Sequence, residues 1–258
     1  MKSLWIAVVS AFSTFSVLPT PRIEWNEYSL KNVLAALPLV GVVIGGVLCL
    51  YYWLSNLLQL PAILSAVLLT ILPVALSGGI HMDGYADMTD ALSSHAAPEK
   101  KRAILKDPHC GAFAVIAVGC YLLLYFGLCT ALPLDWKTIG LLGITHVLSR
   151  AIGSLLSLLP SADANGMQRA FRDSASKGSV WVLIIWIALS IGGAAVLSPL
   201  AAGAMLLAGG LVFLYIRHTA KKQFSGMSGD LAGAGITLSA IAMLLGLVLS
   251  ERIVSLWF

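Results

Sequence analysis

An all-α, polytopic integral membrane protein is the fold that this sequence predicts, with about seven transmembrane helices and a further N-terminal interfacial or re-entrant helix. Three observations predict it. The 258 residues are 59% hydrophobic and only 11% charged, where a soluble domain carries about 25% charge. Mean hydropathy is +0.90. Apolar runs of about twenty residues recur along the chain, each long enough to cross a bilayer as a helix.

The elements follow in order. The opening stretch MKSLWIAVVSAFSTFSVLPTP has an apolar run of about sixteen residues broken by serines and a threonine, and no small-residue cleavage site follows it. It predicts an interfacial or re-entrant helix over about residues 3–18, ended by Pro19 and Pro21. Seven spans are predicted at about 33–57, 61–79, 111–132, 138–159, 180–198, 200–217 and 232–250. Small residues in PLVGVVIGG suit close helix crossings. The short QLP and LSP links suit helical hairpins. With no repeat and no low-complexity linker, residues 1–258 are expected to form one membrane domain. Cys49, Cys110, Cys120 and Cys129 lack CxxC spacing, so free thiols are expected, with neither zinc nor disulfides indicated.

Charge sets the expected orientation. Thirteen of the sixteen lysines and arginines fall in the N-terminal segment and in the 80–110, 160–179 and 217–231 loops, all on one side if the spans alternate. The other side has Lys137 and Arg252, and Arg150 lies inside a span. The positive-inside rule makes the basic side cytoplasmic. Chemistry is therefore expected there, on charged cytosolic substrates.

The stretch SGGIHMDGYADMTDAL gathers three of the twelve acidic residues at the end of an apolar run. On a helix Asp83, Asp87 and Asp90 sit at i, i+4 and i+7, within about 60° of arc. Bare carboxylates so placed repel. A divalent cation reverses that, and an oxygen-only set suits Mg²⁺ or Mn²⁺. The plainer reading makes Asp83 a helix N-cap and the other two a solvated face. A fourth carboxylate, Asp230, lies in FSGMSGDLAGAG, where Gly226 and Gly229 among other glycines let backbone amides approach a phosphate at a helix start. A plain glycine-rich helix entry is the alternative.

Cations come from PEKKRAILKDPHCG. Arg102 and Lys106 share an i, i+4 face and are the better candidates to clamp a diphosphate, while Lys100 and Lys101 fit ordinary positive-inside charge equally well. Arg150, about nine residues from the cytoplasmic end of its span, is a functional candidate expected to pair with a carboxylate or phosphate. His146, one turn earlier, reads as a buried structural histidine. His81 adjoins the aspartates and is held as an acid, base or phosphate ligand. His95 and His109 are given no role.

GGIHMDGYADMTDAL resembles the signature GG-x-H-x-DG-x-AD-x-x-D-G/A of the adenosylcobinamide-GDP ribazoletransferase, or cobalamin synthase, family. KRAILKDPHCGAFA resembles that family's R-x-x-I/L-x-KD-S/P-x-x-G segment, and LSR at Arg150, GMSGDLAGA, TFSVLPTP and PLVGVVIGG resemble its other landmarks. The similarity runs in order through nearly the whole chain. Met82, Tyr85, Ala91 and Pro108-His109-Cys110 depart from the usual residues without removing a carboxylate, and the 163–177 loop with Gly166 and Arg169 matches loosely.

The resemblance implies a transferase of cobalamin assembly at the bacterial inner membrane. It would join α-ribazole, or its 5′-phosphate, to adenosylcobinamide-GDP, release GMP and use Mg²⁺. It implies metal ligation by Asp83, Asp87, Asp90 and Asp230, and substrate contacts from Arg102, Lys106, Asp107, Arg150, Gly226 and Gly229. One of the four aspartates would take the ribazole hydroxyl proton, with Asp83 a catalytic candidate and His81 the reserve. The lipid bilayer is the expected environment, no nucleic acid is implied, and homo-oligomer formation is left open. A CDP-alcohol phosphotransferase is the rival enzyme, although that family's arginine after DG-x-A is Asp87 here. A cation transporter is the rival of another class, disfavoured by the near absence of charge on the far side.

Overall fold

The structure, a computed structural model, describes residues 2–24, 27–162 and 166–257, without the side chains of residues 2, 3, 27 and 28. Residues 163–165 of the loosely matching loop lie outside the described set. Among the described residues there are twelve helices, and the only β-pairing is an isolated bridge of Ser161 with Met227. The helices are α1 Lys2–Phe15, α2 Glu27–Leu30, α3 Val33–Leu57, α4 Ala62–Leu76, α5 Ile80–Ser93 and α6 Pro98–Ile104. They continue with α7 Ala112–Ala131, α8 Trp136–Ser157, α9 Met167–Ser174, α10 Ser179–Leu197, α11 Pro199–Gln223 and α12 Gly229–Trp257.

Six of these (α3, α7, α8, α10, α11 and α12) are long and apolar enough to cross a membrane, and there are seven if the bent pair α4–α5 counts as one span. The protein is an all-α, multi-pass membrane protein, as its composition predicts. The second span differs from expectation. The apolar run predicts a helix over about 61–79, but α4 stops at Leu76 after 15 residues, about 22 Å of helix against a hydrocarbon core of about 30 Å. Gly78 and Gly79 follow at φ 64° and 75°, a left-handed region that glycine enters without steric penalty, and α5 leaves at 90° to α4. The N-terminal helix also ends earlier than its prolines suggest, at Phe15. The chain then turns, and the Val17 amide donates to the Leu76 carbonyl at the foot of α4.

The bundle is built around α8 and α12. In their most apolar windows 83% and 78% of residues are buried, against 17% for α10, so these two form the axis and α10 the lipid-facing periphery. Glycines set the close crossings. A Cβ on Gly45 of α3 would lie 3.0 Å from the Gly143 Cα of α8, and one on Gly84 of α5 would lie 2.5 Å from the Asp230 carbonyl oxygen of α12. Small residues matter here because lipid gives no hydrophobic drive for helix association, and backbone approach must supply the contact instead.

Helix ends are capped where the sequence provides for it. Asp135 and Thr138 form a capping box at the start of α8. Ser198 accepts from the Ala201 amide, with Pro199 in the first turn of α11. Two sets of contacts fix which helix ends share a side. Tyr52 Oη donates to the Leu134 carbonyl at 3.0 Å, and Lys137 Nζ meets Glu251 Oε2 at 2.6 Å. At the opposite end Lys101 Nζ donates to Gln223 Oε1, Arg102 Nη1 donates to the Phe224 carbonyl, and the Met227 amide donates to the Pro160 carbonyl. This second end gathers the α8–α9 and α11–α12 links with the α5–α6 segment and the last turn of α11, which bring Lys100, Lys101, Arg102, Lys221 and Lys222 to it.

Candidate active site

The acidic stretch is helical, as its spacing predicts. Asp83 is exposed, and Asp87 and Asp90 are half-buried, along one face of α5. Met88 on the far side of the helix, and Ala86 and Ala91 flanking the acidic face, are buried. Asp230, in the first turn of α12, comes from across the fold. Because Gly84 has no side chain, α5 rests directly on the Asp230 backbone. The charges of Asp83, Asp230 and Asp90 all act on Asp87, so the structure brings the four predicted carboxylates into one electrostatic neighbourhood. Among the described residues no three His, Cys, Asp or Glu side chains converge as a ready-made metal cage. Asp83 also lines an open cleft of about 560 Å³ between the α4–α5 bend and α7, with Gly79, Met82, Ala86 and Val118.

Asp90 has a second task that sequence spacing does not reveal. Its Oδ2 accepts from the Gly111 amide at 2.6 Å and its Oδ1 from the Ala114 amide at 2.8 Å. These are unsatisfied donors at the N-terminus of α7, and the carboxylate also complements the helix dipole. The carboxylate occupies the space beside Gly111, since a Cβ there would lie 2.5 Å from Oδ2 and push it aside. Asp90→Ala is expected to destabilise the protein by about 1–2 kcal/mol, read as a lower melting temperature in detergent, with Asp90→Asn recovering part of the loss through its one remaining acceptor.

The basic candidates divide. Arg102 is half-buried, with Nη1 on the Phe224 carbonyl and Nη2 3.9 Å from Glu99. Lys101 is buried at 5% exposure on Gln223. Together they seat α6 on the end of α11, so Lys101 is more than surface charge. Lys106 is exposed beyond the helix. Asp107 is also exposed and closes a local turn, accepting from the His109 amide at 3.0 Å and facing its ring at 2.6 Å. These contacts, the amide first, hold its carboxyl below the usual range.

The two glycines before Asp230 differ. Gly226, at φ 151°, donates its amide to the Ala220 carbonyl and lies against the Ala162 backbone, where a Cβ would have 2.7 Å. That amide serves the loop instead of facing outward. Gly229 opens α12 beside unfilled space, and Ser228 caps the helix by accepting from the Leu231 amide.

His81 and Arg150 lie elsewhere. His81 is two residues from Asp83, about 200° around the helix, and points into the bundle at 6% exposure, stacked on Phe15. Arg150 is 3% exposed, and its described hydrogen-bond partners include no carboxylate. Its Nη1 contacts the His146 carbonyl, His146 Nδ1 and Ser149 Oγ at 3.2–3.3 Å. Tyr125 Oη meets His146 Nε2 at 3.3 Å, and Tyr121 and Tyr125 act electrostatically on the arginine. The two tyrosines are neighbours of Arg150 that the sequence reading missed. Their signal was YLLLY, two hydroxyls at i, i+4 inside an apolar run.

Fold and site together define a helical integral-membrane protein with a carboxylate-lined face at one end of its bundle. The cobalamin-5-phosphate synthase family profile matches residues 7–248, and the chain belongs to that family. A protein of Lachnoclostridium phytofermentans named adenosylcobinamide-GDP ribazoletransferase is 39% identical over 256 residues, covering 98% of this chain and 96% of its own. Proteins of the same name from Clostridium perfringens and Geobacillus kaustophilus are each 31% identical, over 257 and 245 residues, covering 96% and 91% of this chain and 100% and 92% of theirs. No solved structure matches the chain.

Proposed function

We propose that this protein is an adenosylcobinamide-GDP ribazoletransferase, working with residues 1–258 as one catalytic domain. It would join α-ribazole or α-ribazole 5′-phosphate to adenosylcobinamide-GDP, giving adenosylcobalamin or its 5′-phosphate and GMP. The observation that carries the reading is the family match across nearly the whole chain, and the acidic face formed by α5 and the start of α12 is chemically suited to it.

The ribazole hydroxyl oxygen bonds to the phosphorus that carries the cobinamide. The bond from that phosphorus to the GMP oxygen breaks, and the hydroxyl proton leaves to a carboxylate. Such a transfer needs charge neutralisation and in-line placement more than covalent catalysis. Asp83 is assigned the proton, because it is exposed on the cleft while Asp90 is engaged with α7. Lys106 and Arg102 are assigned to the diphosphate, with the Gly229 end of α12 supplying a helix N-terminus. His81 and Arg150, on the buried side of α5, are given no part in the transfer.

An oxygen-only, incomplete ligand set fits Mg²⁺, which keeps waters and accepts substrate phosphate oxygens. Asp83, Asp87 and Asp230 would hold it. When bound it would neutralise charge on the diphosphate. Chelation with EDTA is expected to lower turnover by about a hundredfold or more, and Mg²⁺ to restore it. Turnover indifferent to EDTA would remove the metal from this assignment.

The site is assigned to the cytoplasmic side of the bacterial inner membrane, on the excess of lysine and arginine at that end of the bundle. The decisive assay gives the purified protein adenosylcobinamide-GDP with α-ribazole or its phosphate, and in parallel a CDP-activated donor. GMP release with the first donor supports the reading, and turnover of the CDP donor alone overturns it.

A further inference from the structure

Arg150 has an electrostatic problem that the proposed reaction does not solve. A guanidinium stays protonated in a protein, and a charge held away from water without a counter-charge is costly. Its neighbours, His146, Ser149, Tyr121 and Tyr125, carry hydroxyls, an imidazole and a carbonyl but no carboxylate. Arg150 Nε is buried with no hydrogen-bond partner, and so is His81 Nε2. Both side chains line the same small pocket, bounded by the α4–α5 bend, α5, α7, α8 and α12, with Ser77, Tyr121, His146 and Thr237 also on its wall.

The cavity has about 30 Å³ of accessible space, room for one or two water-sized occupants. A tetrahedral oxyanion is too large. The orphan Nε of Arg150 can only donate. His81 Nε2 also donates when its imidazole is neutral with the proton on that nitrogen. Two donors and one uncompensated positive charge around a chamber of this size define the occupant's chemistry.

We propose that this chamber is an anion site holding one halide-sized monovalent anion, chloride under ordinary conditions, as the counter-charge of Arg150. The anion accepts from Arg150 Nε and His81 Nε2 and ties α8 to α5 from behind the acidic face. A neutral water would satisfy both hydrogen bonds but leave the charge uncompensated. The site is structural and does not rest on the identity of the substrates.

The test uses the full-length protein in detergent, melted in chloride, bromide, gluconate and sulfate at equal ionic strength. At chloride about a hundredfold above its dissociation constant, melting is expected to rise by on the order of 5 °C over gluconate. Bromide should act like chloride and sulfate should not. Arg150→Gln should abolish the difference, while Arg217→Gln, an exposed arginine on α11, should preserve it. If Arg150→Gln fails to fold, bromide anomalous diffraction from the wild-type protein decides the matter. A peak between Arg150 and His81 supports the site, and its absence overturns it. Equal melting in all four salts, or sulfate matching chloride, also overturns it.

Discussion

Asp83→Asn is expected to lower turnover by about a thousandfold while leaving the protein folded and membrane-inserted. The substitution keeps the side chain's shape and removes its charge and basicity. Asp83 is exposed and lines the cleft beside the α4–α5 bend, so its loss leaves no buried partner unsatisfied and should move the melting temperature by no more than about 1 °C. The loss should appear mainly in kcat, because a group that takes the hydroxyl proton acts in the transition state more than in substrate binding. Asp90→Asn is the informative contrast. Asp90 holds the Gly111 and Ala114 amides, so that variant should lose stability as well as activity. Asp83→Asn with turnover within about tenfold of wild type would take the proton-accepting role away from Asp83.

The different fates of these aspartates show how far the sequence could be read. The spans were legible because bilayer thickness fixes helix length, and the acidic face of α5 because helical period fixes which residues align. Asp230 was legible as a candidate from its glycine-rich surroundings. Its place beside the other three was expected, but the contact that puts it there was not legible, since it runs through the absence of a side chain at Gly84 and its partner is a backbone 146 residues later. Asp90's engagement with α7 was hidden for a similar reason: any backbone amide can be its partner, so no residue type announces it. The Arg150 environment was hidden in a third way. An intramembrane arginine predicts an anionic partner, but its protein neighbours carry hydroxyls, an imidazole and a carbonyl, which no spacing in the sequence announces. The 90° bend after Leu76 had its signal in Gly78-Gly79, but an apolar run long enough to span overrode it.

That backbone contact carries the second large effect. Gly84→Ala is expected to lower turnover by about a hundredfold or more and to destabilise the protein by about 1–3 kcal/mol. The added Cβ would sit 2.5 Å from the Asp230 carbonyl oxygen and 2.8 Å from its Cα. Both obstacles are backbone at the first turn of a 29-residue helix, so no side-chain rotation relieves them and α5 must move off α12. Moving it separates Asp83 and Asp87 from Asp230, and in-line transfer tolerates little misplacement of the groups that position it. Gly119→Ala is the matched control. It lies in α7 with nothing within 4 Å of an added Cβ, and alanine favours a helix over glycine by about 1 kcal/mol, so it should be neutral or stabilising. If Gly84→Ala melts lower yet turns over normally, the α5–α12 approach serves packing alone and Asp230 is not part of the reacting face. Turnover lost with melting unchanged would mean that α12 yields at low cost, and that the spacing of the carboxylates itself sets the rate.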